Sequence, residues 1–121
     1  MVLIDIPMHL ESQNKPVMIQ TSCPNQITAQ NFANHLVKKQ LAACVTLTEA
    51  LSTYVWDNSI VEEMEVQIQI KTVSCFQNAI LAEIERELGE ETPQFIVIPI
   101  NNISVAYNKW LLQTLNINDK G

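Results

Sequence analysis

The stretch whose reading decides the fold runs from Tyr54 to Thr72, YVWDNSIVEEMEVQIQIKT. Its second half alternates. Met64, Val66, Ile68 and Ile70 fall on one side of an extended chain, and Glu65, Gln67, Gln69 and Lys71 on the other. That pattern predicts a half-buried strand over residues 60–71. Ahead of it, Asp57-Asn58 predicts a chain reversal, because Asn tolerates positive φ. LAACVTL (41–47), continued after Glu49-Ala50 by LSTYVW, supplies the strand from which the chain returns. Four acids, Asp57, Glu62, Glu63 and Glu65, gather here. The alternation separates them: Glu65 shares the polar side with Lys71, while the other three crowd the reversing end, where charge discourages stray edge pairing.

Upstream of this hairpin, KPVMIQTSC (15–23) reads as a strand closed by Pro24. Asn25 is placed to cap a helix over about 26–40 whose apolar positions are Ala29, Phe32, Ala33, Leu36 and Val37. Downstream, Ser74 and Gln77 have capping-box spacing and introduce a second helix. Phe76, Ile80, Ile84 and Leu88 form its apolar ladder, and Gly89 ends it. FIVIPI (95–100) is a fourth strand, and Ser104 starts a short last helix carrying Tyr107, Trp110, Leu111 and Leu115. The order β-α-β-β-α-β plus a terminal helix predicts an α+β, ferredoxin-like fold: an antiparallel sheet with two helices on one face. The domain spans 15–115, with residues 1–14 a loosely ordered leader and 116–121 a tail. Little in the chain covers the other face of the sheet, on which large groups such as Tyr54 and Trp56 are expected. Self-association into a dimer or trimer would bury it.

Composition narrows the functional classes. The 121 residues carry seven basic and thirteen acidic side chains, a formal net charge of −6. That field repels phosphate backbones, and no basic cluster exceeds Lys38-Lys39, which argues against nucleic acid and anionic membranes as partners. Only two glycines are present, Gly89 and Gly121, so Walker, dinucleotide and nucleophile-elbow motifs are all absent. Three widely spaced cysteines without a CxxC favour a reducing, cytoplasmic setting over a disulfide framework. The opening MVLIDIPMHL lacks a positive n-region and contains Asp5 and Pro7, unlike a secretory signal.

Cys44, in a small apolar strand, reads as core. Cys75 falls in a first helical turn, where the dipole can lower a thiol pKa. His35 lies on the polar side of its helix, and Glu83, Glu85, Glu87, Glu90 and Glu91 read as a solvated face without calcium-loop spacing. Glu65 and Lys71 share one side of a strand and, with an adjacent subunit, would occupy an interface or its clefts. With two histidines, neither near a suitable partner in sequence, no catalytic constellation is visible.

Taken in order, LAACVTL, YVW with its polar turn, EVQIQIKT, TPxFIVIPI and YxxW resemble the CutA divalent-cation tolerance family, over nearly the whole of 16–115. The resemblance implies a cytoplasmic, non-enzymatic homotrimer of ferredoxin-like subunits, similar to the PII signalling proteins and linked to copper. Tyr54, Trp56, Glu65, Lys71, Thr72, Tyr107 and Trp110 match family positions and, by that match, mark the inter-subunit cleft or interface. The family's copper ligands do not carry over: their positions hold Thr21, Glu87 and Leu88, so copper or another divalent cation is expected to bind weakly. Cys23, two residues beyond Thr21 and hence on the same face, is the one displaced metal candidate. A small-molecule sensor with ligands between subunits is the alternative function.

Overall fold

The computed structural model describes residues 14–90 and 92–117; the expected leader, save Asn14, and most of the tail lie outside them. Strand β1 (Pro16–Cys23) leads to helix α1 (Gln26–Lys38), strand β2 (Cys44–Trp56) and strand β3 (Ser59–Val73). A 3-10 turn (Ser74–Phe76) precedes helix α2 (Gln77–Leu88), strand β4 (Ile96–Pro99) and helix α3 (Val105–Thr114). The four strands form one sheet in the order β2-β3-β1-β4, antiparallel at every pairing described. This is the expected ferredoxin-like arrangement.

Local chemistry explains the boundaries. Asn25 Oδ1 accepts from Thr28 N at 2.9 Å, and Ser104 Oγ accepts from Tyr107 N at 3.2 Å, so both predicted caps are made. α1 ends in a Schellman motif, Leu41 N–H donating to Leu36 O and Gln40 N–H to Val37 O. That motif holds Gln40, a non-glycine, at φ 58°. Gly89 takes the same left-handed role after α2, at φ 61°. Both Asp57 (φ 52°) and Asn58 (φ 62°) are left-handed, the geometry of a type I′ hairpin turn, whose twist matches that of the strands it joins.

The predicted capping box is not formed. Ser74 N–H donates to Lys15 O at 2.8 Å, so its backbone still belongs to the sheet, and α2 begins three residues later without a side-chain cap. Two further expectations are corrected. Val37 is exposed rather than part of the buried stripe of α1, which consists of Ala29, Phe32 and Leu36. Cys44 is half-buried opposite Lys71 on the open face of the sheet, because β2 starts at Cys44 and the pairing fixes its side.

Val17, Ile19, Val66, Ile68 and Ile70 build the core with the apolar stripes of α1 and α2. α3 packs separately: Leu111, Leu112 and Leu115 close over Ala43 and Val73. The hairpin is much longer than the helices that cover it. Thirteen residues of β2 extend about 43 Å at ~3.3 Å each, whereas thirteen helical residues reach only about 20 Å. Its distal half is therefore bare: Leu51, Val55, Ile60 and Met64 are 64%, 68%, 77% and 58% exposed.

Candidate functional site

The strand register sorts the predicted residues. Ala50 pairs Glu65, Ser52 pairs Glu63, and Thr48 pairs Gln67, so these side chains share the open face with Tyr54 and Trp56. Glu65 Oε2 accepts from Ser52 Oγ at 2.5 Å and from Gln67 Nε2 at 2.8 Å, while Gln20 Nε2 donates to Gln67 Oε1 at 2.7 Å. The Tyr54 hydroxyl donates to Glu63, and that bond, with the nearby negative charges, raises its pKa. Around this network lies a cleft of about 640 Å³, bounded by Tyr54, Trp56, Glu63, Glu65, Glu90 and the Thr92–Gln94 segment. Among the described residues its lining contains acids, amides, hydroxyls and aromatics but no basic side chain, an environment hostile to phosphates.

Lys71, Tyr107 and Trp110 come together at the other end of the same face. The Tyr107 and Trp110 rings lie 5.3 Å apart, tilted by 35°, and the Lys71 ammonium sits 6.0 Å from the Tyr107 centroid. Thr72 belongs to neither group. It is fully buried, and its hydroxyl donates to Leu41 O at 2.6 Å, tying the loop after α1 to the end of β3. Glu65 and Lys71 engage separate partners, Ser52 and Gln67 for one and Tyr107 for the other.

The Cys23 strand continues to its last residue, which pairs Val66, so Thr21 and Cys23 do share a face. That face is the core. Both are buried, burial raises the Cys23 thiol pKa with Glu90 and Glu65 adding to it, and Sγ donates to Asn25 O at 3.3 Å. Cys75 lies exposed in the 3-10 turn, and its thiol is raised by partial burial, against the dipole effect expected from sequence.

A further cluster joins α1 to α2. Glu83, expected to be solvated, has a side chain only 6% exposed. His35 Nε2 contacts its Oε1 at 2.6 Å and Lys39 Nζ its Oε2 at 3.1 Å, with Arg86 also bound to Oε2. His35, expected on the surface, is thus half-buried against α2. Although burial opposes ionisation, these three partners hold Glu83 down at about 2. A signal for this was present in the sequence. His35 follows Phe32 by three and precedes Leu36 by one; Glu83 stands in the same relation to Ile80 and Ile84. Each residue borders the apolar stripe of its helix, where two helices lying on one sheet meet.

Comparison with known proteins bears on this geometry. The family model described as "CutA1 divalent ion tolerance protein" matches residues 17–114. The chain belongs to the CutA1 family. Among CutA1 relatives, the divalent-cation tolerance protein CutA of Pectobacterium atrosepticum is 35% identical over 100 residues, covering 82% of this chain and 91% of its own. That of Yersinia pestis is 32% identical over 105 residues, covering 86% and 88%. The fold matches CutA of Synechococcus elongatus with a TM-score of 0.81 at 29% identity, covering 86% of this chain and 93% of that one. A CutA from Archaeoglobus fulgidus, described as periplasmic, gives 0.80 at 26% identity, covering 83% and 98%. The copper implied by the CutA resemblance does not suit the residues present. Thr21 offers a buried hydroxyl without a hydrogen-bond partner, Leu88 a hydrocarbon chain packed against the core, and Glu87 alone a carboxylate.

Proposed function

We propose that this CutA1 protein acts in divalent-cation tolerance as a cytoplasmic, non-enzymatic homotrimer, binding copper weakly at best through the family positions. The observation that carries the reading is the hairpin that outruns its helices. Its bare side carries Leu51, Val55, Ile60 and Met64, and its other side the half-exposed Trp56 and the cleft around Glu65. An uncovered apolar strand pair of this length is an aggregation hazard for a monomer and a ready interface for copies of itself. Residence in the cytoplasm is supported by Cys23, Cys44 and Cys75 all being free.

Light scattering on the purified chain tests the assembly. The expected mass is that of three protomers, and paired Val55→Glu and Ile60→Glu substitutions are expected to lower it. A monomeric wild-type chain refutes the proposal. Copper(II) calorimetry without reducing agent tests the metal part; tight stoichiometric binding abolished by Cys23→Ser refutes it. Fractionation of producing cells tests the compartment, with recovery outside the cytoplasm refuting it.

A further inference from the structure

Glu83 and Glu87 are four apart on α2 and so stand on one side of it, with His35 facing them from α1. One ligand atom from each of His35, Glu83 and Glu87 can be chosen so that all three lie within 4.8 Å of one another. The two oxygens of Glu83 have different neighbours. Oε2 is held by Lys39 and Arg86, whereas Oε1 points to His35 Nε2 at 2.6 Å. Arg86 also approaches Glu87 Oε2, at 3.6 Å through Nε. Lys39 and Arg86 thus hold Glu83 through one oxygen and leave the other to His35, orienting the carboxylate as outer-shell partners do around metal ligands. Beside His35 and Glu87 lies a recess of about 310 Å³, lined also by Thr28, Asn31, Phe32 and Leu88, with room for water.

We propose that His35 Nε2, Glu83 Oε1 and a Glu87 carboxylate oxygen form a binding site for a borderline divalent transition ion such as zinc. One imidazole and two carboxylates with an open fourth position is a donor set zinc accepts. Hard cations prefer all-oxygen sites, so the imidazole discriminates against magnesium and calcium. Zinc bonds of about 2.0–2.1 Å in a tetrahedron put ligand atoms about 3.3 Å apart. His35 and Glu83 must therefore open slightly and Glu87 close in, movements that its half-exposed side chain permits. The ion takes the place of the proton between His35 Nε2 and Glu83 Oε1.

The site lies within one chain and is independent of the trimer; of the family copper positions it uses Glu87 alone. Zinc titration of the full-length protein by calorimetry tests it, with circular dichroism and light scattering confirming that each variant keeps its fold and size. The expected result is one zinc per chain. His35→Gln and Glu87→Gln should each weaken binding at least tenfold, His9→Gln should leave it unchanged, and millimolar magnesium should not compete. Zinc should also shift the Nε2 nitrogen resonance of His35. Zinc uptake no greater than that of the double variant His35→Gln/Glu87→Gln, binding insensitive to His35→Gln, or displacement by magnesium overturns the proposal.

Discussion

Replacing Glu83 by Gln removes one negative charge from beneath three cationic or polar partners while keeping the side chain's shape. Its consequence can be worked from the fold. Glu83 titrates at about 2 in place, against an ordinary value of 4.5. At about 1.36 kcal/mol for each tenfold in proton affinity, that gap is worth at most about 3 kcal/mol. Lys39 and Arg86 are half-exposed, so solvent screens their ends of the interaction, and about 2 kcal/mol is the expected loss at pH 7. Because the folded-state pKa is depressed, the stabilisation is complete above about 4.5 and disappears as pH falls toward 2. The assay is urea unfolding of wild type and Glu83→Gln at a fixed protomer concentration, stepped from pH 7 to pH 3. The wild-type advantage should stay level down to about pH 5 and be more than half gone by pH 3. Equal stabilities at pH 7, or a difference that does not shrink on acidification, would refute the argument that Glu83 is a charge clamp between α1 and α2.

Three other outcomes follow from single contacts. Thr72→Val keeps the β-branched shape but strips Leu41 O of its buried donor, and should cost about 1–3 kcal/mol in the same unfolding assay. Gln40→Gly relieves a left-handed side-chain-bearing residue at the end of α1 and should stabilise by about 1 kcal/mol, read as a higher melting temperature. Replacing Asp57-Asn58 by Asn-Gly supplies the residues a type I′ turn favours; it should raise the melting temperature without changing the oligomeric mass, since the turn itself makes none of the bare apolar surface.

Why the fold could be read from the chain while much of the chemistry could not is a matter of which interactions are local. The alternation of residues 64–71 dictates which side chains share a face whatever lies beyond the sheet, and the side-chain caps at Asn25 and Ser104 are satisfied within three residues. The capping box at Ser74 failed for a non-local reason: its N–H was already committed to Lys15, at the far end of another strand. Cys44 lies away from the core because Val45 and Leu47, which alternate with it, turn inward, a choice of face that the run of small and apolar residues in LAACVTL leaves open. Thr72 illustrates the limit of matching positions: its hydroxyl turns inward to Leu41, so that a residue matched to an interface position serves the subunit's own core.

Glu83 was missed because helical charge runs are usually solvated, and a stripe-border position counts as exposed until a second helix lies beside it. The β-α-β-β-α-β order already put two helices on one face of the sheet. Given that adjacency, a carboxylate bordering one stripe and an imidazole and ammonium bordering the other have water on fewer sides and one another at hand. Pairing is then the arrangement that avoids a stranded buried charge. The same reasoning applied to the sheet gives the opposite result for the hairpin. Its distal half has no second layer within the chain, so its apolar side chains stay in water unless a second copy supplies the layer. The burial of an acid and the exposure of an apolar strand thus have one cause, the short reach of two helices over a much longer pair of strands.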